Sequence, residues 1–195
     1  MPPGETLFIT YRLFNTLPYT VLQGLKHEHA SFLKIQQLKS PDLNEKELQS
    51  TWEGRYFQRV DAFIDQNSES KQWLSETAVA QIVEESIRYR NGKHFALHAY
   101  CVMPNHVHLL VTNEQTDMPF HRVLGSMKAN SAKAINLHLN RVGQPVWATE
   151  SYDHVVRNGK SFERIISYII HNPVKAGLVM KWQDWPHTHC QYDWS

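Results

Sequence analysis

Two histidines separated by one residue, His106 and His108, and a tyrosine and asparagine four apart, Tyr168 and Asn172, have types and spacing suited to chemistry. Side chains alternate faces along a β-strand, so His-Val-His directs both imidazoles one way and Val107 and Leu109 the other. Two imidazoles on one face form a chelate. Residues four apart on a helix stand one turn from each other on one face, so the phenol and the amide of the second pair project together. The combination suits phosphodiester cleavage by tyrosine, which requires a metal to polarise a nonbridging oxygen, neutralise developing charge and orient the phosphate. Two neutral imidazoles and an amide oxygen leave coordination positions for phosphate and water. Such a set suits Mg²⁺ or Mn²⁺, although imidazole alone equally suits zinc. A phosphotyrosine keeps the energy of the broken bond, so a 3′-hydroxyl can later reverse the step without ATP.

Each pair also has a plain structural explanation. A bare His-x-His can sit on the solvated side of a sheet, a tyrosine after Ile165 and Ile166 can be core packing, and an asparagine before Pro173 can be a helix stop. A hydrolase reading, with zinc and water in place of the tyrosine, would need a further ligand and a general base, for which Glu150 or Asp153 could be recruited.

The elements that must hold these residues follow from periodicity. Thr6 to Leu13 is β-branched and aromatic and reads as a first strand. Leu22 to Leu38 and Asn44 to Ile64 carry apolar residues at intervals of three and four, separated by Ser40-Pro41-Asp42, and read as a helical insertion spanning about 19–75 that ends in a polar Gln66 to Lys71 loop. Ser75 is a candidate N-cap for a helix to about Tyr89, stopped at Asn91-Gly92. Phe95 to Met103 and His106 to Thr112 form a hairpin about Pro104-Asn105. A helix from Pro119 to Leu139, a strand from Tyr152 to Arg157 and a helix from Lys160 to about His171 complete the order β, α, β-β, α, β, α. The fold class is α+β: a ferredoxin-like, four-stranded antiparallel sheet with helices on one face, plus the insertion. The tail from His187 to Ser195 is assigned nothing.

The 195 residues, 42% of them hydrophobic, suffice for one domain, read here as 1–195 with its insertion. Two cysteines, Cys101 and Cys190, exclude a zinc ribbon or disulfide framework. No apolar run nears the roughly 20 residues of a membrane span, and the N-terminal residues lack the pattern of a signal peptide, so a cytoplasmic location is expected. The net charge of +1 does not advertise a nucleic-acid partner.

Three blocks resemble the HUH single-tyrosine transposases, especially the REP-associated tyrosine transposase branch. Met103-Pro-Asn-His-Val-His-Leu-Leu-Val111 resembles the metal-binding strand. Trp147-Ala-Thr-Glu-Ser-Tyr-Asp-His-Val-Val-Arg157 resembles the strand that leads to the catalytic helix. Tyr168-Ile-Ile-His-Asn-Pro-Val-Lys-Ala-Gly-Leu-Val179 resembles the end of that helix, and is the most specific of the three. The resemblance implies that His106, His108 and Asn172 are metal ligands, that Tyr168 is the nucleophile forming a 5′-phosphotyrosine, and that single-stranded or hairpin DNA is the substrate. Relatives act as monomers or as homodimers that share active sites. A non-catalytic binder of hairpin DNA retaining the fold is the alternative within this resemblance.

The basic residues on or beside the proposed active face are Arg122, Lys128, Lys133, Arg157, Lys160, Arg164 and Lys175. Of these, Lys128, Arg157 and Lys175 border the motif blocks and are taken as the DNA contacts. Trp147 or Tyr152, if exposed, would serve for base stacking, although core packing also explains both. His98 and His154 are read as structural.

Overall fold

A computed structural model describes residues 2–39, 45–66, 72–114 and 117–194. Its elements are β1 (Thr6–Leu13), α1 (Tyr19–Lys39), α2 (Glu45–Gln66), α3 (Thr77–Arg88), β2 (Phe95–Val102), β3 (His106–Asn113), α4 (Phe120–His138), β4 (Trp147–Val156), α5 (Gly159–Lys175) and β5 (Thr188–Cys190). The Ser40-Pro41-Asp42 break and residues 67–71 of the polar loop lie outside the described residues. No described helix is long and apolar enough to cross a membrane.

The chain divides into two units, Asn15–Ser70 on the one hand and Met1–Phe14 with Lys71–Ser195 on the other. In the smaller unit, α1 and α2 meet along an aromatic seam. The His29 ring stacks on Trp52 at 4.6 Å, Phe32 lies 5.6 Å from the same indole, and the Arg55 guanidinium covers Phe32 at 4.8 Å.

The larger unit is built on a five-stranded antiparallel sheet in the order β4-β1-β3-β2-β5. Its α+β class and ferredoxin-like strand order agree with the expectation from sequence, with two differences. The tail supplies a fifth strand, pairing Thr188 to Cys190 with Cys101 to Ala99 of β2. Three residues carry too little periodicity to be read as a strand, and it is the open edge of β2 that organises them. The second difference concerns layering. Leu7, Ile9, Tyr11 and Leu13 of β1 join Val107, Leu109 and Val111 of β3 in one core with Val79, Val83 and Ile87 of α3 and Phe120, Val123, Met127 and Ile135 of α4. The alternate residues of β1 and β3 face the other way, and α5 covers them, so helices lie on both faces.

A register shift in β2 between Leu97 and Ala99 lets both Leu97 and Tyr100 point into the first core, which strict alternation would forbid. The first helix of this unit starts later than read from sequence. Trp73–Ser75 forms a 3₁₀ turn, and Glu76, not Ser75, is the N-cap of α3. The fourth strand begins earlier, at Trp147.

Candidate active site

Antiparallel pairing of β1 with β3 sets Thr10 opposite His108 and Arg12 opposite His106, so Phe8, Thr10 and Arg12 share a face with both imidazoles. Because β3 lies between β1 and β2, with helices on both sides of the sheet, the histidines are buried at 1% and 0% exposure. The solvated-face explanation of the pair is thereby excluded. Their Nε2 atoms stand 3.0 Å apart. The other nitrogen of each ring is tied down. His106 Nδ1–H donates to Asn105 Oδ1 at 2.7 Å, since an amide oxygen can only accept. His108 Nδ1 meets Thr10 Oγ1 at 2.7 Å.

Helix α5 brings the second pair over the first. Asn158 caps its start by accepting from the Ser161 N–H at 2.9 Å, and Ile165, Ile166, Ile169 and Ile170 bury its apolar face. The sequence expectation that Asn172-Pro173 stops the helix is corrected, because α5 continues through Pro173 to Lys175. Pro173 removes one N–H from the ladder and crowds the carbonyl of Ile169, and the helix carries that cost within one turn of its end. One turn later the helix closes in a Schellman arrangement, with Gly177 N–H donating to Val174 O at 3.0 Å and Leu178 N–H to Pro173 O at 2.9 Å. Gly177 has φ +71°, a conformation that favours glycine.

Continued helix keeps Asn172 one turn beyond Tyr168. The Asn172 Nδ2 atom lies 3.0 Å from His108 Nε2, and the Tyr168 ring lies 5.3 Å from the His108 ring in an edge-on contact. Tyr168 is half-buried and Asn172 fully buried. All four residues singled out from the sequence thus meet within one chain.

The donor set fits a divalent cation. An amide Nδ2 only donates, so His108 Nε2 accepts from it and the ring carries its proton on Nδ1, toward Thr10. His106 likewise carries its proton on Nδ1. Both Nε2 atoms, 3.0 Å apart, are then the unprotonated nitrogens of their rings and can serve together as ligands to one cation. The 3.0 Å separation of the Nε2 atoms would let both reach one ion. The Asn172 Oδ1 atom is buried without a hydrogen-bond partner among the described residues, and half a turn of its amide would point that oxygen to the position now held by Nδ2. Holding each ligand ring by its remote nitrogen, as Asn105 and Thr10 do, is how metal-site histidines are oriented.

The other residues considered divide clearly. Lys175, in the last turn of α5, places its Nζ 5.6 Å from the centre of the Tyr168 ring. Arg157 is exposed at the turn between β4 and α5. Lys128 is not with them. Its ammonium donates to Ala148 O at 2.7 Å, Thr149 O at 3.2 Å and Ser151 Oγ at 3.3 Å, and burial holds its pKa below the usual lysine value, partly offset by Glu150. Ser151 is opposite Tyr11, a residue of the core away from the histidines, so Lys128 braces the far face of β4. Trp147 is buried, donating from Nε1 to Ser131 Oγ at 3.0 Å, whereas Tyr152 is half-buried, opposite Thr10 on the histidine face. His98 bridges Tyr192 and Thr112 at 2.8 and 2.7 Å, and His154 is exposed on β4. Both cysteines are free thiols.

Neither carboxylate considered for a water-based hydrolase joins the pair. Glu150 is 74% exposed and paired with Arg12 at 3.5 Å, and Asp153 is opposite Ile9, on the other face. Phe8, Thr10 and Asn105 were not singled out from sequence. Phe8 and Thr10 do alternate correctly along β1 for a shared face, but only the pairing of β1 with β3, about a hundred residues away in the chain, brings them to His108.

Comparison with known proteins bears on the same residues. The family model described as "Transposase IS200 like" matches residues 63–172, more than half of the chain. A REP-associated tyrosine transposase of Escherichia coli (strain K12) is 29% identical over 102 residues, covering 52% of this chain and 58% of that protein. A relative from Haemophilus influenzae is 24% identical over 103 residues, with 49% and 58% covered. The match therefore spans less than two thirds of either relative's length. A solved structure of a REP-associated tyrosine transposase bound to a REP hairpin superimposes with a TM-score of 0.56 at 19% identity, covering 95% of this chain and 76% of that one, and shares its fold.

Proposed function

This chain belongs to the IS200-like transposase family, and from that membership we propose that it cleaves and rejoins single-stranded DNA beside a hairpin. In this reading Tyr168 is the nucleophile and His106, His108 and Asn172 hold a divalent metal. The observation that carries it is the meeting of Tyr168 with His108, ring to ring at 5.3 Å, while Asn172 from the same helix touches His108 Nε2 at 3.0 Å. Hairpin DNA as the substrate class is supported by the solved relative, which was captured bound to one.

The chemistry is a phosphoryl exchange that conserves bonds. The Tyr168 oxygen bonds to phosphorus as the bond from phosphorus to the 3′-oxygen breaks. The phenol loses its proton and the released 3′-oxygen gains one. A second 3′-hydroxyl then attacks the 5′-phosphotyrosine and returns the phenol, so joining needs no external energy. A Mg²⁺ or Mn²⁺ ion on the two Nε2 atoms and the Asn172 oxygen would polarise the phosphate and neutralise the charge that develops on it. Helix α5 fixes the direction of approach of Tyr168, and Lys175 and Arg157 supply positive charge for flanking phosphates. Tyr168 stands beside histidines of its own chain, which supports an active site that acts in cis.

The test uses labelled hairpin oligonucleotides with a single-stranded flank, with and without Mn²⁺, on the protein and its Tyr168→Phe variant. A metal-dependent covalent adduct formed only with tyrosine is the expected result. Cleavage that persists in the variant would favour attack by water, and binding without cleavage across many hairpins would favour a non-catalytic binder.

A further inference from the structure

Resting on that reading of the site, we propose that Phe8 is the positioning residue that couples the metal-binding histidine to the nucleophile. Phe8 stands on β1 one alternation before Thr10, on the histidine face, and is 4% exposed. Its ring stacks on His108 at 5.7 Å with an interplanar angle of 26°. It meets Tyr168 edge-on at 5.9 Å and 85°. Since His108 and Tyr168 are themselves 5.3 Å apart, the three rings form a closed triangle, each held by the other two. A fourth ring, Tyr152, leans on Phe8 from the β4 side at 6.2 Å and 70°.

The stacked Phe8 ring supplies a restraint that in-plane hydrogen bonds do not. The hydrogen bond to Thr10 holds His108 in its ring plane, but resists tilting of that plane weakly. A flat aromatic face against the imidazole blocks the tilt. The same phenylalanine limits rotation of the Tyr168 ring, because offset and edge-to-face pairs have preferred geometries that aliphatic contacts lack. Phe8 therefore sets the position of the nucleophile relative to the chelate, from a strand that contributes neither. Thr10, two residues on, orients His108 from the same strand, so β1 serves as the jig for the site.

The experiment compares wild type, Phe8→Leu and Phe8→Tyr for the single-turnover rate of covalent adduct formation at saturating Mn²⁺ and saturating hairpin oligonucleotide. Rates are normalised to the folded fraction, and hairpin affinity and Mn²⁺ affinity are measured separately. Leucine keeps most of the volume and removes the flat face. The expected result is a rate roughly 10- to 100-fold lower in Phe8→Leu, the scale of a small misplacement of reacting groups, with both affinities within about threefold of wild type and the rate restored in Phe8→Tyr. An unchanged normalised rate in Phe8→Leu overturns the inference, as does a rate loss explained wholly by weaker metal or DNA binding. If wild type forms no adduct while it binds the hairpin, the functional reading fails and the inference falls with it. A wild type that forms adduct alongside an equally fast leucine variant sinks the role of Phe8 alone.

Discussion

Asn172 on α5 and His108 on β3, 64 residues apart in the chain, meet at 3.0 Å between amide nitrogen and Nε2. This contact exists because α5 does not stop at Pro173, so the asparagine stays helical and keeps the phase of Tyr168.

If Asn172 is a ligand, removing its amide weakens the metal more than the fold. Asn172→Ala should lower Mn²⁺ affinity by roughly 10- to 100-fold, and Asn172→Asp, which keeps an oxygen and adds charge, should restore or exceed wild-type affinity. Calorimetric titration with Mn²⁺ distinguishes these. Equal affinity for wild type and the alanine variant would leave Asn172 with a packing role only.

Two lysines proposed together from sequence should separate by assay. Lys128 satisfies three acceptors of β4, so Lys128→Met should cost about 1 kcal/mol of stability and leave DNA affinity nearly unchanged. Lys175→Gln should do the reverse, reducing the slope of log affinity against log salt by about 0.7 for one lost single-strand phosphate contact. Thermal melts and a salt series of binding curves check both. A shallower salt slope in the Lys128 variant would return that residue to the DNA surface.

The end of α5 depends on the positive φ of Gly177, and a Cβ there would meet no atom within 4 Å. The penalty for Gly177→Ala is therefore conformational, about 1–2 kcal/mol. At about 2–4 °C per kcal/mol for a chain of this size, a melt resolves it. A variant as stable as wild type would mean that the helix ends otherwise.

Acid should loosen the attachment of the tail through His98. Burial holds its imidazole below the usual value, partly offset by Glu114. The unfolded chain takes up a proton near pH 6.5, whereas the folded chain takes it up only at lower pH. The contribution of this group is thus fully present above about pH 6.5 and is lost as pH falls through the folded value. Melting temperature should fall more steeply with acidification in wild type than in His98→Gln. Parallel profiles from pH 7.5 to pH 5 would exclude His98 as a source of the acid sensitivity.

Local relationships were legible in the chain alone. Alternation placed His106 and His108 on one face of a strand, helical spacing aligned Tyr168 with Asn172, and the Pro104-Asn105 turn marked the hairpin, because each depends on residues within a turn or two of one another. Resemblance across residues 103–111 and 168–179 joined the two pairs into one site. Tertiary structure decided what depends on distant pairing. It decided that the histidine face is buried beneath α5 rather than solvated, that Phe8 and Thr10 of β1 meet His108, that Lys128 donates to β4, and that three tail residues become a strand on the edge of β2. It also decided the fate of Pro173. The residue before proline is locally biased against helix, but the buried isoleucines of α5 and the closure at Gly177 outweigh that bias. Local preference is a matter of neighbouring dihedral angles, whereas burial and strand register are settled by partners that the chain reaches only once it has folded.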